Sequence, residues 1–272
     1  MSQVWLIGRP VAHSLSPAMH NAAFAKLGLP HRYEAKETAE DQLAATLDRM
    51  RQGDVLGANV TIPHKEAVLK LVDEATEEAR RIGAVNTVIR RGSRLIGDNT
   101  DRFGFHHGLE SAGILAISND DVLVLGAGGA ARACILELQD GNDVLVANRS
   151  MERAEHLVAS MPKEGEGELR AIAWDEARQL KWVDLLVNAT PLGMNGEDAL
   201  EGFAFETLPP MIADLVPIAG ETPLVRRARE AQHVLVMDGL LMLLHQAARS
   251  FELWTGVPAP LEVMRAALPR DV

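Results

Sequence analysis

The sequence predicts an α/β protein made of two α/β domains flanking a cleft, and three observations carry that prediction. Strand-like and helix-like runs alternate along nearly the whole chain, the pattern of sheets covered by helices. The alternation pauses over residues 101–117 and restarts at Asp121 with a second βα series. The length, 272 residues, suits two domains on a prior of about 150 residues each.

The elements follow in order. VWLIG reads as the first strand, and PAMHNAAFAKLG as a helix in which Met19, Ala23 and Leu27 recur every fourth residue before a stop at Gly28. RYEAKET and LGANVTI read as further strands, with a helix starting near Pro63. NTVIRRGSRLIGDN gives two short strands around a turn at Gly92 and Ser93. From Asp121 the order is DVLVL, a glycine-rich turn, a helix, DVLVAN, a second helix, then AIAW, LLVNAT and MIADL. Strands so regularly separated by helices argue for parallel sheets. The last long helix, GLLMLLHQAARSFELW, has an apolar face of Leu240, Leu243, Leu244, Ala247, Phe251 and Trp254. Its other face, with Met242, Gln246 and Arg249, is solvent-facing unless the helix borders a cleft.

Composition removes several function classes. No apolar run approaches the ~20 residues of a membrane-spanning helix, and MSQVWLIGRP lacks the basic and apolar regions of a signal peptide. Cys134 is the sole cysteine, which excludes an intrachain disulfide, fits core packing and points to a reducing, cytoplasmic setting. A net charge of −11 argues against nucleic-acid binding, which needs a basic face. The histidines show no ligand spacing such as H-E-x-x-H, and adjacent His106 and His107 are expected to point apart, so no metal is expected. The expected partners are small molecules, with no nucleic acid and no membrane, and the chain acts as a monomer or homodimer.

DVLVLGAGGAARACILEL places Gly126, Gly128 and Ala131 in G-x-G-x-x-A spacing between a strand and a helix. The first glycine permits the tight turn, the second lets a pyrophosphate approach the backbone, and the small third residue lets helix and strand pack closely. Free N–H groups at the helix start then face phosphates, across Gly126, Ala127, Gly128, Gly129 and Ala130. This reads as a Rossmann-type domain, with a methyltransferase or another Rossmann site as the alternative. An NAD site usually ends the next strand in Asp or Glu; here stand Asn148, Arg149 and Ser150, with Arg153 one turn on. Two guanidiniums suit a ribose 2′-phosphate, so the expected cofactor is NADP (NADPH). Plain surface charges are the alternative, disfavoured at a helix start.

In the first half, HSLSPAMHN sets Ser14 and Ser16 before a helix, where Ser16 can be a plain N-cap and the hydroxyls can also hold a carboxylate. Lys65, in GANVTIPHKEAVLK, is either a solvated charge or a proton carrier held by a carboxylate. Asp101, in GDNTD, is either an N-cap or that carboxylate. Asn59, Asn86 and Asn99 fall at strand ends, where each can be a turn residue and where polar amides at one sheet rim together look more like a site.

Taken together, GRPVAHSLSPAMHN, NVTIPHK, GAVNT, GDNTD, GAGGAAR with ANRSMER, NATPLGM and GLLMLLHQAARSFELWTG resemble the shikimate dehydrogenase family over essentially the whole chain. The resemblance implies a substrate-binding domain over 1–103 completed by 239–272, with a Rossmann NADP domain over 104–238. It implies that Ser14 and Ser16 hold the substrate carboxylate, that Asn59, Thr61, Asn86 and Gln246 bind ring hydroxyls, and that Lys65 and Asp101 form the acid–base pair. It also implies that residues 126–132 cradle the pyrophosphate and that Asn148, Arg149, Ser150 and Arg153 meet the 2′-phosphate. Thr190, Met194, Gly239 and Met242 would lie on the nicotinamide side. The implied reaction is NADP-dependent, reversible reduction of 3-dehydroshikimate to shikimate, in the biosynthesis of chorismate and the aromatic amino acids. Two domains around a cleft further predict that NADP binding closes them about hinges near 101–104 and 237–239.

Two positions depart from the family. Pro217 stands where it usually carries Tyr, and Leu241 where it often has Gly. Both bear on the fit of the ring rather than on Lys65 or Asp101. Alternatives are a quinate/shikimate dehydrogenase, a related enzyme with another ring substrate, and a non-catalytic NADP-binding sensor. A sensor has no need of an acid–base pair.

Overall fold

Among the described residues, 2–115 and 117–269 of a computed structural model, six strands form one sheet and six form another. The chain divides into two units, one running to Gly104 and resumed over Leu243–Pro269, the other over Phe105–Met242.

The first unit contains β1 (Ser2–Gly8), α1 (Ser16–Lys26), β2 (His31–Glu37), α2 (Leu43–Gln52), β3 (Val55–Val60), α3 (Lys65–Leu69), β4 (Glu74–Ala75), α4 (Glu77–Ile82), β5 (Thr87–Arg91) and β6 (Arg94–Asp98). The strand order is β2-β1-β3-β5-β6-β4. β1 lies parallel to β2 and β3 because helices carry the chain back between them, whereas β5 runs antiparallel to β3 and β6. The sheet is therefore mixed rather than parallel: the tight turn at Gly92, whose φ of +63° favours glycine, reverses the chain where a crossover would have kept its direction. Trp5, Leu47, Val55, Val60, Val88 and Leu95 are among the residues of its core.

Two helices link or complete the units, α5 (Asp101–Ser111) and, late in the chain, α10 (Gly239–Thr255), which is followed by α11 (Leu261–Ala266). Trp254 of α10 donates its indole N–H to the carbonyl of Val88 at 3.0 Å. It lies so close over β3 that a Cβ at Gly57 would sit 2.4 Å from its Nε1. The carboxyl-terminal helix is thus seated on the amino-terminal sheet through a glycine. Met242 and Gln246 are buried in α10 while Arg249 is exposed, so only Arg249 fits a solvent-facing second face. Leu27, by contrast, lies just past the end of α1 and is exposed, while Met19 and Ala23 are buried as the fourfold spacing requires.

His20, on α1, is fully buried beside the aromatic residues of this unit. Its ring stacks on Tyr33 with centroids 4.4 Å apart and meets Phe24, Phe251 and Trp254. Neither ring nitrogen has a hydrogen-bond partner among the described residues. Burial lowers its pKa from 6.5 to about 3, because an imidazolium here would lose its water. The unfolded chain takes up this proton near pH 6.5, and the folded chain only near pH 3. Stability should fall as pH drops through that window, by up to about 1.4 kcal/mol per pH unit. Urea denaturation between about pH 7 and 4 should show this slope, and His20→Phe should flatten it. Equal slopes in the two proteins would refute the assignment.

The second unit holds β7 (Asp121–Leu125), α6 (Gly129–Leu138), β8 (Asp143–Ala147), α7 (Met151–Ser160), β9 (Leu169–Ile172), α8 (Trp174–Gln179), β10 (Leu185–Asn188), β11 (Met211–Asp214), α9 (Pro223–Glu230) and β12 (Leu235–Met237). Its strands are all parallel, in the order β12-β11-β10-β7-β8-β9. The chain builds outward from β7 to β9, crosses back to β10 on the other side of β7, and builds outward again. This is the doubly wound order, and its direction reverses between β7 and β10, where such sheets bind ligands beyond the strand ends.

Candidate active site

Lys65 opens α3, and its backbone is anchored on both sides. The buried ring of His64 meets the carbonyl of Thr38 at 2.8 Å, and the N–H of Val85 donates to the carbonyl of Lys65 at 2.8 Å. The side chain is 16% exposed, and Nζ donates to Asp101 Oδ2 at 2.5 Å. Lys65 is thus a positioned ammonium, not a freely solvated charge. Asp101 opens α5, with its N–H bonded to Asn99 Oδ1 at 2.8 Å while Asn99 donates to the carbonyl of Ala84 at 2.8 Å. Its carboxylate is engaged at both oxygens. One oxygen takes Lys65 and the other accepts from Asn86 Nδ2 at 2.7 Å. Removing a Lys–Asp pair from water is costly unless hydrogen bonds complete it, and here the amide of Asn86 does so.

The amides converge behind this pair. Asn86 Oδ1 accepts from the N–H of Thr100 and the hydroxyl of Thr87, each at 2.8 Å, and its Nδ2 also lies 3.0 Å from Thr100 Oγ1 and 3.5 Å from Gln246 Oε1. Gln246 Nε2 donates to the carbonyl of Leu243 at 2.8 Å. Asn59 Oδ1 accepts from the Tyr33 hydroxyl at 2.8 Å, and its Nδ2 faces Ser250 Oγ at 3.0 Å. Thr61 follows β3 and packs its methyl against Gly8 so closely that a Cβ there would lie 2.3 Å away. Asn99 belongs to the support of Asp101. The structure therefore brings Lys65, Asp101, Asn86, Asn59 and Gln246 into one bonded cluster.

Ser16 does not cap α1. It is the first residue of that helix, after Leu15, and its N–H is satisfied by Ser14 Oγ at 3.3 Å. Pro17, one position inside, fixes the first turn, so the hydroxyl able to reach the free N–H is the one two residues upstream. Ser14 and Ser16 remain adjacent at the helix entrance. Sequence reasoning missed Tyr33, His64, Thr87, Thr100 and Ser250. His64 and Thr87 lie next to singled-out residues, whereas Ser250 sits in an apolar helical stripe and gave no signal.

In the second unit the glycine turn follows β7 directly. Gly126 has φ +110°, and a Cβ on it would come within 2.7 Å of the carbonyl oxygen of Ala189, just after β10. The turn is therefore pressed against the N-A-T-P segment at the point where strand order reverses. At Gly128 a Cβ would meet nothing within 4 Å, and the residue is exposed at the entrance to α6. Ala127, Gly129 and Ala130 surround it and are half-buried, while Ala131 is fully buried against the sheet. Arg132 is buried and its guanidinium donates to Ser160 Oγ at 2.9 Å.

After β8, Asn148 bonds the carbonyl of Ser150 at 3.0 Å, and Ser150 Oγ caps α7 by accepting from the N–H of Arg153. Arg149 and Arg153 are exposed and belong to none of the ion pairs among the described residues. Thr190 is held by Asn188, whose Oδ1 accepts from its hydroxyl at 2.7 Å. Asn188 in turn donates to buried Asp214 at 2.8 Å, and burial raises the Asp214 pKa. Met194 projects into solvent beside a loop tied by Glu197, whose carboxylate accepts from the N–H groups of Gly193 and Asn195 at 3.2 and 3.0 Å. Gly239 lies so close to Val216 that a Cβ would be 2.4 Å from its oxygen, and Met242 is buried. Pro217 is exposed and Leu241 half-buried.

His106 and His107 do not point apart. With Glu110 they bring ligand-type atoms within 4.8 Å of one another, because spacings of three and four residues share a helix face. These groups lie at the surface and bond each other and Glu137. Among the described residues no helix is long and apolar enough to cross a membrane.

Comparison with known proteins assigns three stretches of the chain. Residues 6–88 match the family described as shikimate dehydrogenase substrate binding domain, residues 110–193 shikimate / quinate 5-dehydrogenase, and residues 239–268 shikimate 5′-dehydrogenase C-terminal domain. A protein of Symbiobacterium thermophilum named shikimate dehydrogenase (NADP(+)) is 44% identical, over 96% of this chain and 92% of its own. The crystal structure of shikimate 5-dehydrogenase from Thermus thermophilus in complex with NADP(H) and shikimate is 39% identical, with a TM-score of 0.83 over 98% of both chains. A ligand-free 5-ketofructose reductase of Gluconobacter sp. strain CHM43 is 31% identical, with a TM-score of 0.81 over 98% of this chain and 97% of that one.

Proposed function

The chain belongs to the shikimate dehydrogenase family, and on that premise we propose that it is an NADP-dependent oxidoreductase interconverting 3-dehydroshikimate and shikimate. The observation that carries the proposal is the Lys65–Asp101 pair, closed at 2.5 Å and oriented by Asn86.

The residues present fit the cofactor. The open space at Gly128 leaves room for a pyrophosphate against the start of α6, and Asn148 rather than a carboxylate stands at the end of β8. Gly126, Ala127, Gly128, Gly129 and Ala130 would hold the pyrophosphate, and Asn148, Arg149, Ser150 and Arg153 the 2′-phosphate. Thr190, Met194, Gly239 and Met242 would serve the nicotinamide end. When bound, NADPH supplies the hydride.

This chain's own residues supply the rest. Hydride arrival at a carbonyl carbon leaves negative charge on its oxygen. Lys65 Nζ donates a hydrogen bond to that oxygen, stabilises the developing charge and gives up a proton to it. Asp101 holds the ammonium in place through Oδ2. Ser14 and Ser16 take the substrate carboxylate, while Thr61, Asn59, Asn86 and Gln246 serve the ring hydroxyls. A reducing cytoplasm suits buried Cys134.

Likeness to a 5-ketofructose reductase over nearly the whole chain favours a second reading, a related enzyme acting on another ring or sugar, and Pro217 and Leu241 leave room for it. Initial-rate absorbance of NADPH formation separates the two. Shikimate should be turned over readily and quinate weakly. Preference for quinate, or turnover of neither despite NADP binding, would overturn the first reading.

A further inference from the structure

We propose that the buried hydroxyls of Thr87, Thr100 and Ser250 form a positioning cluster for the Lys65–Asp101 pair, with Ser250 at its hub; this rests on the dehydrogenase reading. Ser250 is fully buried on α10. Its Oγ has two acceptors for its single proton, the carbonyl of Gln246 at 3.0 Å and Thr87 Oγ1 at 2.8 Å, accepts from Asn59 Nδ2 at 3.0 Å, and lies 3.1 Å from Thr100 Oγ1. A hydroxyl offers one proton and two lone pairs. Contacts with four polar atoms therefore make Ser250 the point where the cluster's proton directions are settled.

The cluster acts on the orientation of one amide. The two ends of Asn86 are nearly the same shape, and only bonding partners decide which end faces Asp101. Its –NH₂ end faces Asp101 Oδ1 because the N–H of Thr100 and the hydroxyl of Thr87 both donate to its oxygen. Reversal would set that oxygen against a carboxylate and leave the buried N–H of Thr100 unpaired. Thr87 is free to give its single proton to Asn86 because Asn59 Nδ2, at 3.3 Å, and Ser250 meet its lone pairs. Asn59 is fixed from behind by the Tyr33 hydroxyl, and burial drives that phenol far above its ordinary pKa, so it stays a neutral donor. With Asp101 Oδ1 committed to Asn86, Oδ2 remains on Lys65.

The neighbours of Ser250 on the helix, Ala247, Phe251 and Trp254, are buried and apolar. An apolar residue in its place would satisfy packing alone. Buried polar clusters are costly unless fully bonded, and they then fix a single arrangement. Ser250 also comes from the late segment of the chain that carries Gln246, whereas Thr87 and Thr100 flank β5 and β6. It thereby ties the helix bearing Gln246 to Thr100, which leads directly into Asp101 at the start of α5.

A double-mutant cycle tests this with whichever ring substrate the unaltered chain turns over, so its result is independent of whether that substrate is shikimate. Ser250→Ala should lower kcat roughly 10-fold with KM nearly unchanged, and should shift the pH profile of kcat. In an Asn86→Ala background the same substitution should cost less than about 2-fold. An equal loss in both backgrounds, or no loss in either, would overturn the proposal. Should Ser250→Ala melt below the assay temperature, Thr87→Val, which keeps the side-chain shape, replaces it in the same cycle with the same criteria.

Discussion

Lys65→Met should lower kcat roughly 10³-fold, within the range of about 10²–10⁴ that positioned acid–base groups supply, while KM for the ring substrate changes only a few-fold. Met keeps the length and apolar stem of Lys, so the substitution removes a charge and three N–H donors with little loss of packing. The ammonium meets its oxygen most strongly when that oxygen carries charge, so its loss falls on the transition state rather than on binding. Asp101→Asn should also lower kcat, roughly 10²-fold, because an amide holds the ammonium without compensating its charge. The two substitutions together should cost little more than Lys65→Met alone, since Asp101 acts through Lys65. Initial rates of NADPH formation at saturating substrate read all three. A Lys65→Met protein retaining more than about a tenth of the wild-type kcat would remove Lys65 from the chemistry, and strictly multiplicative losses would separate the pair.

The parts of this site that sequence made legible share one property: local chemistry. Gly126 is demanded by its own φ, Gly128 by the space it leaves, and both stand beside a strand whose apolar run is unmistakable. Lys65 and Asp101 are 36 residues apart, yet each lies where a strand hands over to a helix, and strand ends are where open α/β sheets gather function. What was not legible was long-range. Ser250 meets Asn59 across 191 residues and Thr87 across 163, and a serine within an apolar stripe has an ordinary explanation at hand. Tyr33 reads as one strand aromatic, although its hydroxyl anchors Asn59. The cap of α1 escapes sequence reasoning because Ser14 and Ser16 are chemically alike and only the backbone decides which oxygen meets which N–H. Gln246 and Met242 are polar or flexible residues opposite an apolar face, and periodicity alone sends such residues to solvent. Their burial follows from packing that a helical pattern does not encode.

Arg149→Ala should raise KM for NADP about 10- to 100-fold, the worth of about 1.5–3 kcal/mol for hydrogen bonds to a charged group, and leave KM for NAD within about 2-fold. The chain carries 38 acidic residues against 27 basic ones, so a cation without an acidic partner is informative. Arg149 and Arg153 stay outside the ion pairs of the described residues although they flank the start of α7, where the helix dipole disfavours positive charge. A dianionic 2′-phosphate between them would turn that unfavourable placement into a favourable one, with guanidinium forks matched to phosphate oxygens. Asn148 and Ser150 also make local bonds that shape the turn and are neutral, which leaves discrimination by charge to the arginines. Arg153→Ala should act in the same direction. The double variant should fall short of the product of the single losses, because each guanidinium screens the same phosphate. Raising salt should weaken NADP binding in the unaltered chain and hardly affect the double variant. Steady-state rates with NADP and NAD side by side measure the ratio directly. Equal losses for both cofactors would place the arginines at the pyrophosphate or in the fold, and would leave Asn148, in place of a carboxylate at the end of β8, as the sole basis of the preference.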